Sequence, residues 1–171
     1  MTPQPFWVEL LATRHDRKRF DCGEPSLNDY LQRYARQNMN NDSARVYVAV
    51  QPDETRICDY FSLCAGHVDA LSFPDRPRKG WPRDVPTALL GRLAVDGEFQ
   101  RQGLGRRLVL AALDTTVQVA DDIGVAAIDV WALNPRARAF YQKLGFLPLQ
   151  DDPFHLYLAT ATARASLSQE T

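Results

Sequence analysis

Lysine is nearly missing from this 171-residue chain: of its 20 basic residues only Lys18, Lys79 and Lys143 are lysines, and the rest are arginines. Arginine is the better partner for phosphates and stacked bases, although a GC-rich coding sequence leaves the same bias. Long hydrophobic runs are absent too, so nothing approaches the roughly 20 apolar residues that cross a bilayer. Met1-Thr2-Pro3-Gln4-Pro5 has neither the basic start nor the apolar segment of a secretory signal, and a cytoplasmic location is expected. Cys22, Cys58 and Cys64 are odd in number and lack C-x-x-C spacing, which points to idle or buried thiols. His15, His67 and His155 are scattered without metal-ligand spacing, and no structural metal is expected. A net charge of −1 gives no global pull toward nucleic acid. What remains is ordinary for one globular domain, 45% apolar and 24% charged. It is expected to span residues 1–160, with 161–171 as a polar tail.

Taken in order, Phe6–Leu11 reads as a first strand, short and at an edge. Ser26 and Asp29 have the spacing of a capping box. Leu27, Tyr30, Leu31, Tyr34 and Ala35 then repeat at helical spacing, with Gln32, Arg33, Arg36 and Gln37 on the outer face, either solvated or turned to a substrate. Val46–Val50 and Ile57–Ala65 are strand candidates joined by a turn at Pro52–Thr55. Four prolines and four basic residues between Ser72 and Pro86 exclude a regular element there, and Trp81 within it is either a packing anchor or a stacking surface. Ala88–Val95 reads as the central strand, a helix runs from Gly105 to about Asp121, and Val125–Trp131 reads as a strand buried on both faces. Asn134 and Pro135 open a further helix that Gly145 closes, and Phe146–Leu149 and His155–Ala159 form a last pair of strands.

The chemistry concentrates after the central strand. Gln100-Arg101-Gln102-Gly103-Leu104-Gly105 leads straight into a helix, so backbone N–H groups cluster at its start with the positive end of the helix dipole behind them. Gly103 and Gly105 let a phosphate approach the backbone, and Arg101, Arg106 and Arg107 add charge. The segment is neither a Walker loop nor G-x-G-x-x-G, since Leu108 stands where the third glycine belongs.

These residues resemble motif A of the GNAT N-acetyltransferases, [Q/R]-x-x-G-x-[G/A]. Asn134-Pro135-Arg136-Ala137-Arg138-Ala139-Phe140-Tyr141-Gln142-Lys143-Leu144-Gly145-Phe146 resembles that family's N-x-x-A-x-x-[FL]-Y-x-x-x-G-F segment at the usual distance. The resemblance implies an α/β (α+β) GNAT fold, with a mixed central sheet of six to seven strands, splayed between its fourth and fifth, and flanking helices. It implies acetyl-coenzyme A as donor, its arm along Leu93, Ala94 and Val95 and at Asn134, and its diphosphate on Gln100, Arg101, Gln102, Gly103, Leu104, Gly105 and Arg106. Tyr141 falls at the general acid. No general base stands out among Asp96, Glu98, Asp129 and His67. A lysine acceptor, pKa about 10.4, needs one, whereas an α-amine near about 8 is already partly unprotonated.

Phe20–Leu31, Tyr47–Ala49, Asp59–Leu63 and Val85–Asp96 further resemble the tRNA-acetylating toxins of bacterial toxin–antitoxin pairs (TacT- and AtaT-like). That branch implies acetylation of the α-amine of aminoacyl-tRNA, a homodimer, and a ribbon-helix-helix antitoxin as partner. Asp59 departs from its usual glycine, which bears on substrate detail rather than fold. A tRNA surface on this slightly acidic chain must be local, from Arg33, Arg36, Arg45, Arg76, Arg78, Lys79, Arg83 and Arg92. The competing readings are a GNAT enzyme acting on a small amine, peptide or antibiotic, and a coenzyme-binding module without catalysis.

Overall fold

The structure, a computed structural model, describes residues 5–52, 54–74 and 79–169. Seven strands are ordered β1-β2-β3-β4-β5-β7-β6. The chain forms two units: residues 1–64 with 91–111, and residues 65–90 with 112–171. Strands β3 (Asp59–Asp69) and β4 (Asp84–Val95) and helix α3 (Leu104–Ala120) contribute residues to both.

In the first unit, β1 (Trp7–Leu10) pairs antiparallel with β2 (Arg45–Val50), and β2 pairs antiparallel with the first half of β3. Helix α1 (Pro25–Asp29) passes through a π-helical turn, Tyr30–Tyr34, into α2 (Ala35–Asn40). The spacing of Leu27, Tyr30, Leu31, Tyr34 and Ala35 predicts one regular helix, but the amide of Ala35 reaches back to the Tyr30 carbonyl. That wider turn puts Tyr30, Leu31 and Ala35 in the core and rotates Tyr34 out to solvent. They pack with Val46, Val48, Ile57 and Tyr60, and the Tyr60 hydroxyl donates to the Leu27 carbonyl at 2.6 Å. The expected capping box does not form. Glu24 is the N-cap without a side-chain bond, Pro25 takes the first helical position, and Asp29 pairs with Arg33 at 2.9 Å instead. Asp53 of the expected Pro52–Thr55 turn lies outside the described residues.

In the second unit, β4 runs parallel to β5 (Ala127–Trp131), in register from Thr87↔Ala127 to Leu90↔Val130. Strand β5 pairs antiparallel with β7 (His155–Ala159), and β7 with β6 (Leu147–Pro148). Strand β4 starts at Asp84, earlier than the prolines led us to expect. Pro86 lacks an N–H, but its carbonyl still accepts from Ala126 at 2.9 Å. Trp81 is a packing anchor: its ring meets Phe73 edge-on at 5.0 Å, and Phe73 meets Tyr157 at 4.9 Å. Residues 161–169, read as part of a polar tail, belong to helix α5 (Thr160–Gln169). The helix is tied down by small residues, with Thr160 and Ala163 buried and the Thr160 hydroxyl donating to Val125 at 2.7 Å.

Candidate active site

Each unit carries its own part of the motif. In the first unit, β4 ends at Val95 and the buried Asp96 takes over as N-cap of a 3-10 turn, Gly97–Phe99. Its carboxylate accepts from the amides of Glu98 and Asp21, both at 3.0 Å, and from Arg56 at 3.4 Å. Gln100 follows, and its side-chain amide donates to the carbonyls of Val95 at 2.8 Å and Cys22 at 3.1 Å. The turn is therefore braced from beneath.

Arg101 and Gly103 then take left-handed backbone conformations, φ 66° and 77°. Arg101 holds that conformation with a Cβ, at a cost of about 1 kcal/mol, while at Gly103 a Cβ would meet nothing within 4 Å. The first bond of α3 runs from Arg107 N–H to the Gly103 carbonyl at 3.3 Å, so the Gly103, Leu104 and Gly105 amides precede the helical ladder. Leu104 turns its side chain into the core, whereas Arg101, Gln102, Gly103 and Arg106 are exposed. Unladdered amides beside exposed arginines and an uncrowded glycine make a donor set suited to a diphosphate. Leu93 and Val95 are half-buried and Ala94 is buried on the strand leading in.

In the second unit, Asn134 caps α4 (Pro135–Lys143), its Oδ1 accepting from the Ala137 amide at 2.9 Å. That commits the oxygen to the helix and leaves the Nδ2 hydrogens as its donors to a ligand. Two turns on, Tyr141 is buried between Phe140 and Phe146, with ring centroids at 5.2 and 5.5 Å. Gly145 at φ 97° closes the helix, and Phe146 N–H returns to the Tyr141 carbonyl at 3.1 Å. Burial raises the Tyr141 hydroxyl well above its ordinary pKa, so it carries its proton throughout the neutral range.

Of the four groups weighed as general bases, His67 is exposed on β3 and the three carboxylates are engaged elsewhere. Asp96 is the brace just described, Arg56 holds Glu98 at 2.8 Å and its carboxyl below the ordinary value, and Asp129 is bonded to His155 at 2.7 Å. Burial pushes the Cys58 thiol up to about 12 and raises Cys22 as well, so neither is a nucleophile.

The expected tRNA-binding residues fall into separate groups. Arg33, Arg36 and Arg92 belong to the first unit, where the Arg92 guanidinium lies over the Tyr30 ring at 3.7 Å, on the π turn that carries Arg33. Arg45 pairs with Asp42 at 2.8 Å. Lys79 and Arg83 belong to the second unit, both exposed, with Arg83 3.5 Å from Asp69. Arg76 and Arg78 lie outside the described residues.

Asp59 is almost wholly buried, with no hydrogen-bond partner for Oδ1 among the described residues. Burial raises its pKa to about 8 against the pull of a backbone bond and of Arg107. Below the ordinary carboxylate pKa of about 3.9 both folded and unfolded chains hold this proton. From there to about 8 only the folded chain does, so stability falls as pH rises and levels off above about 8. Asp59→Asn should therefore stabilise the protein by about 1–3 kcal/mol near pH 8 and very little near pH 4. Urea unfolding at both pH values checks this, and a difference independent of pH would contradict it.

Residues 8–146 match the acetyltransferase (GNAT) family, and the chain belongs to that family. It is an acetyltransferase with acetyl-coenzyme A as donor, consistent with the donor set around Gly103. Among sequences of known function it is 41% identical over 155 residues to a tRNA-acetylating toxin of Mycobacterium tuberculosis, covering 91% of this chain and 92% of the relative. Among solved structures it resembles AtaT complexed with acetyl-methionyl-tRNAfMet (TM-score 0.89, 30% identity, 95% of this chain and 99% of that one). It also resembles AtaTR bound with acetyl-coenzyme A (TM-score 0.84, 29% identity, 95% and 98%). The fold is thus the mixed, seven-stranded GNAT fold with flanking helices.

Proposed function

We propose that this chain is the toxin of a toxin–antitoxin pair and acetylates the α-amine of aminoacyl-tRNA, which blocks translation. The observation that carries the reading is the 41% identity, over nine-tenths of the chain, to a toxin named for that activity. Acetyl-coenzyme A supplies the acyl group and a thiolate leaving group. The amides from Gln100 to Arg106 hold the diphosphate, with the arginines among them as counter-charges. Leu93, Ala94 and Val95 present strand backbone to the coenzyme arm, the Val95 N–H polarises the reacting carbonyl, and Asn134 donates from Nδ2. Tyr141 gives its proton to the departing sulfur.

The engagement of Asp96, Glu98 and Asp129 supports an acceptor that needs no dedicated base. An α-amine with pKa near about 8 meets that condition, and a lysine does not. Arg33, Arg36, Arg78, Lys79, Arg83 and Arg92 serve the tRNA backbone locally, so activity on tRNA should fall steeply with salt. The enzyme works in the cytoplasm as a homodimer, restrained by a ribbon-helix-helix antitoxin.

The test is transfer of labelled acetyl from acetyl-coenzyme A to charged and to deacylated tRNA. Label on charged tRNA only is the expected result. No label on either, with the coenzyme still bound in calorimetry, overturns the reading.

A further inference from the structure

One side-chain cluster in the second unit has no part in the chemistry above. On the face of β5 and β7 that carries Asp129, His155 lies between two carboxylates: Nε2 is 2.7 Å from Asp129 Oδ2, and Nδ1 is 2.7 Å from Asp151 Oδ2. A carboxylate oxygen at each ring nitrogen places both nitrogens to donate, an arrangement that favours the imidazolium. Burial alone would lower its pKa, but the bonds to Asp129 and Asp151 outweigh burial and raise it. Held at both nitrogens, the ring cannot rotate.

Its flat face meets Trp131, the cross-strand partner of His155, at 4.0 Å and 12° between planes. This contact fixes one face of the indole, yet Trp131 remains 51% exposed. An aromatic ring held rigidly from one side and open on the other is a preorganised surface for stacking a flat ligand, with little rotamer freedom left to lose. Trp131 is also the last residue of β5, at the carboxyl end of the parallel pair, where α/β sheets receive ligands. The exposed chain that follows runs through Leu133 to Arg136, and the first turn of α4 contains no acidic residue. An aromatic platform followed by basic residues at a helix start has the chemistry that holds a single-stranded nucleic-acid end.

We propose that Trp131, clamped by His155 between Asp129 and Asp151, is a stacking platform for the 3′-terminal base of the acceptor. The inference rests on the reading of the acceptor as aminoacyl-tRNA and adds the element that recognises its end. Trp131 is a binding residue, and His155, Asp129 and Asp151 are positioning residues.

The test compares two minimal acceptors, the methyl ester and the adenosine 3′-ester of the same amino acid, with wild type, Trp131→Ala, Trp131→Phe and Asp151→Asn. Wild type should have a KM for the adenosine ester lower by about 5- to 100-fold. Trp131→Ala should erase that preference, so that the two esters are used with similar KM, and Trp131→Phe should restore most of it. Asp151→Asn should weaken it partly without changing kcat, a split that general loosening of the fold would not give.

A preference unchanged in Trp131→Ala overturns the inference. So does a matching loss of acetyl-coenzyme A affinity, which would assign the indole to the coenzyme's adenine. A dimer that falls to monomer with the preference intact overturns it as well and places Trp131 between copies. Wild type inert toward every aminoacyl ester and charged tRNA overturns the functional reading along with it.

Discussion

Replacing Tyr141 by phenylalanine should lower kcat for acetyl transfer by about 100- to 10,000-fold, the range a positioned proton donor supplies. The substitution removes one oxygen and leaves the ring, so the contacts with Phe140 and Phe146 persist. Thermal stability should change by less than about 1 kcal/mol, and acetyl-coenzyme A should bind as before. Loss of rate without loss of folding or binding separates a proton donor from a core aromatic. The pH profile separates them further. Because burial raises the Tyr141 pKa, its proton stays in place where an ordinary phenol begins to ionise near about 10. The wild-type rate should climb as the acceptor amine deprotonates near about 8 and then hold level, with no alkaline fall from tyrosine ionisation. Full activity in Tyr141→Phe would remove the residue from the mechanism. Growth arrest on expression of the wild type, relieved by the same substitution, would carry the result into cells.

The pattern of strands and helices was largely legible because apolar periodicity and turn residues marked it. Val46–Val50, the strand ending at Val95, Asn134-Pro135 opening a helix and Gly145 closing it all lie close to the observed elements. What escaped has particular causes. The π turn depends on how Tyr30, Leu31 and Ala35 fit one core, and a helical template forces Tyr34 onto the same face. Helix α5 buries only Thr160 and Ala163, too small to mark a hydrophobic stripe. Asp129 reads only as one of four possible general bases, because its partner His155 lies 26 residues away. The site was legible as a motif and not as a mechanism of support. Gln100 matched a phosphate turn, but its bond to Cys22 reaches 78 residues back along the chain. Spacing within a motif says nothing of such partners.

Asp96 is the clearest instance, and its replacement by alanine should be the most damaging single change to the fold of the first unit. We expect a loss of about 3–5 kcal/mol, the cost of removing one partner from a buried ion pair. The carboxylate is 3% exposed and ties together three places distant in sequence. It receives the Asp21 amide from the segment before α1, the Glu98 amide from its own turn, and the Arg56 guanidinium from the segment before β3. The Asp96 amide itself donates to the Cys58 carbonyl at 2.9 Å, and the Gly97 amide to Asp21 at 2.8 Å. Alanine leaves two amides without an acceptor and withdraws one of the two carboxylates that hold Arg56. Arg56 already has no partner for Nε among the described residues, and it keeps only Glu98, at 2.8 Å, to balance its charge. Asp96→Asn keeps one side-chain oxygen to accept from an amide and should lose about half as much. Because the same carboxylate caps the turn that delivers Gln100 and Arg101, acetyl-coenzyme A affinity should fall in the same order, alanine below asparagine below wild type. Urea unfolding reads the first effect and calorimetry the second, under conditions where each variant is folded. An Asp96→Ala protein as stable as wild type would mean that water replaces the carboxylate, and that the geometry of the phosphate turn is set by Gln100 and the glycines.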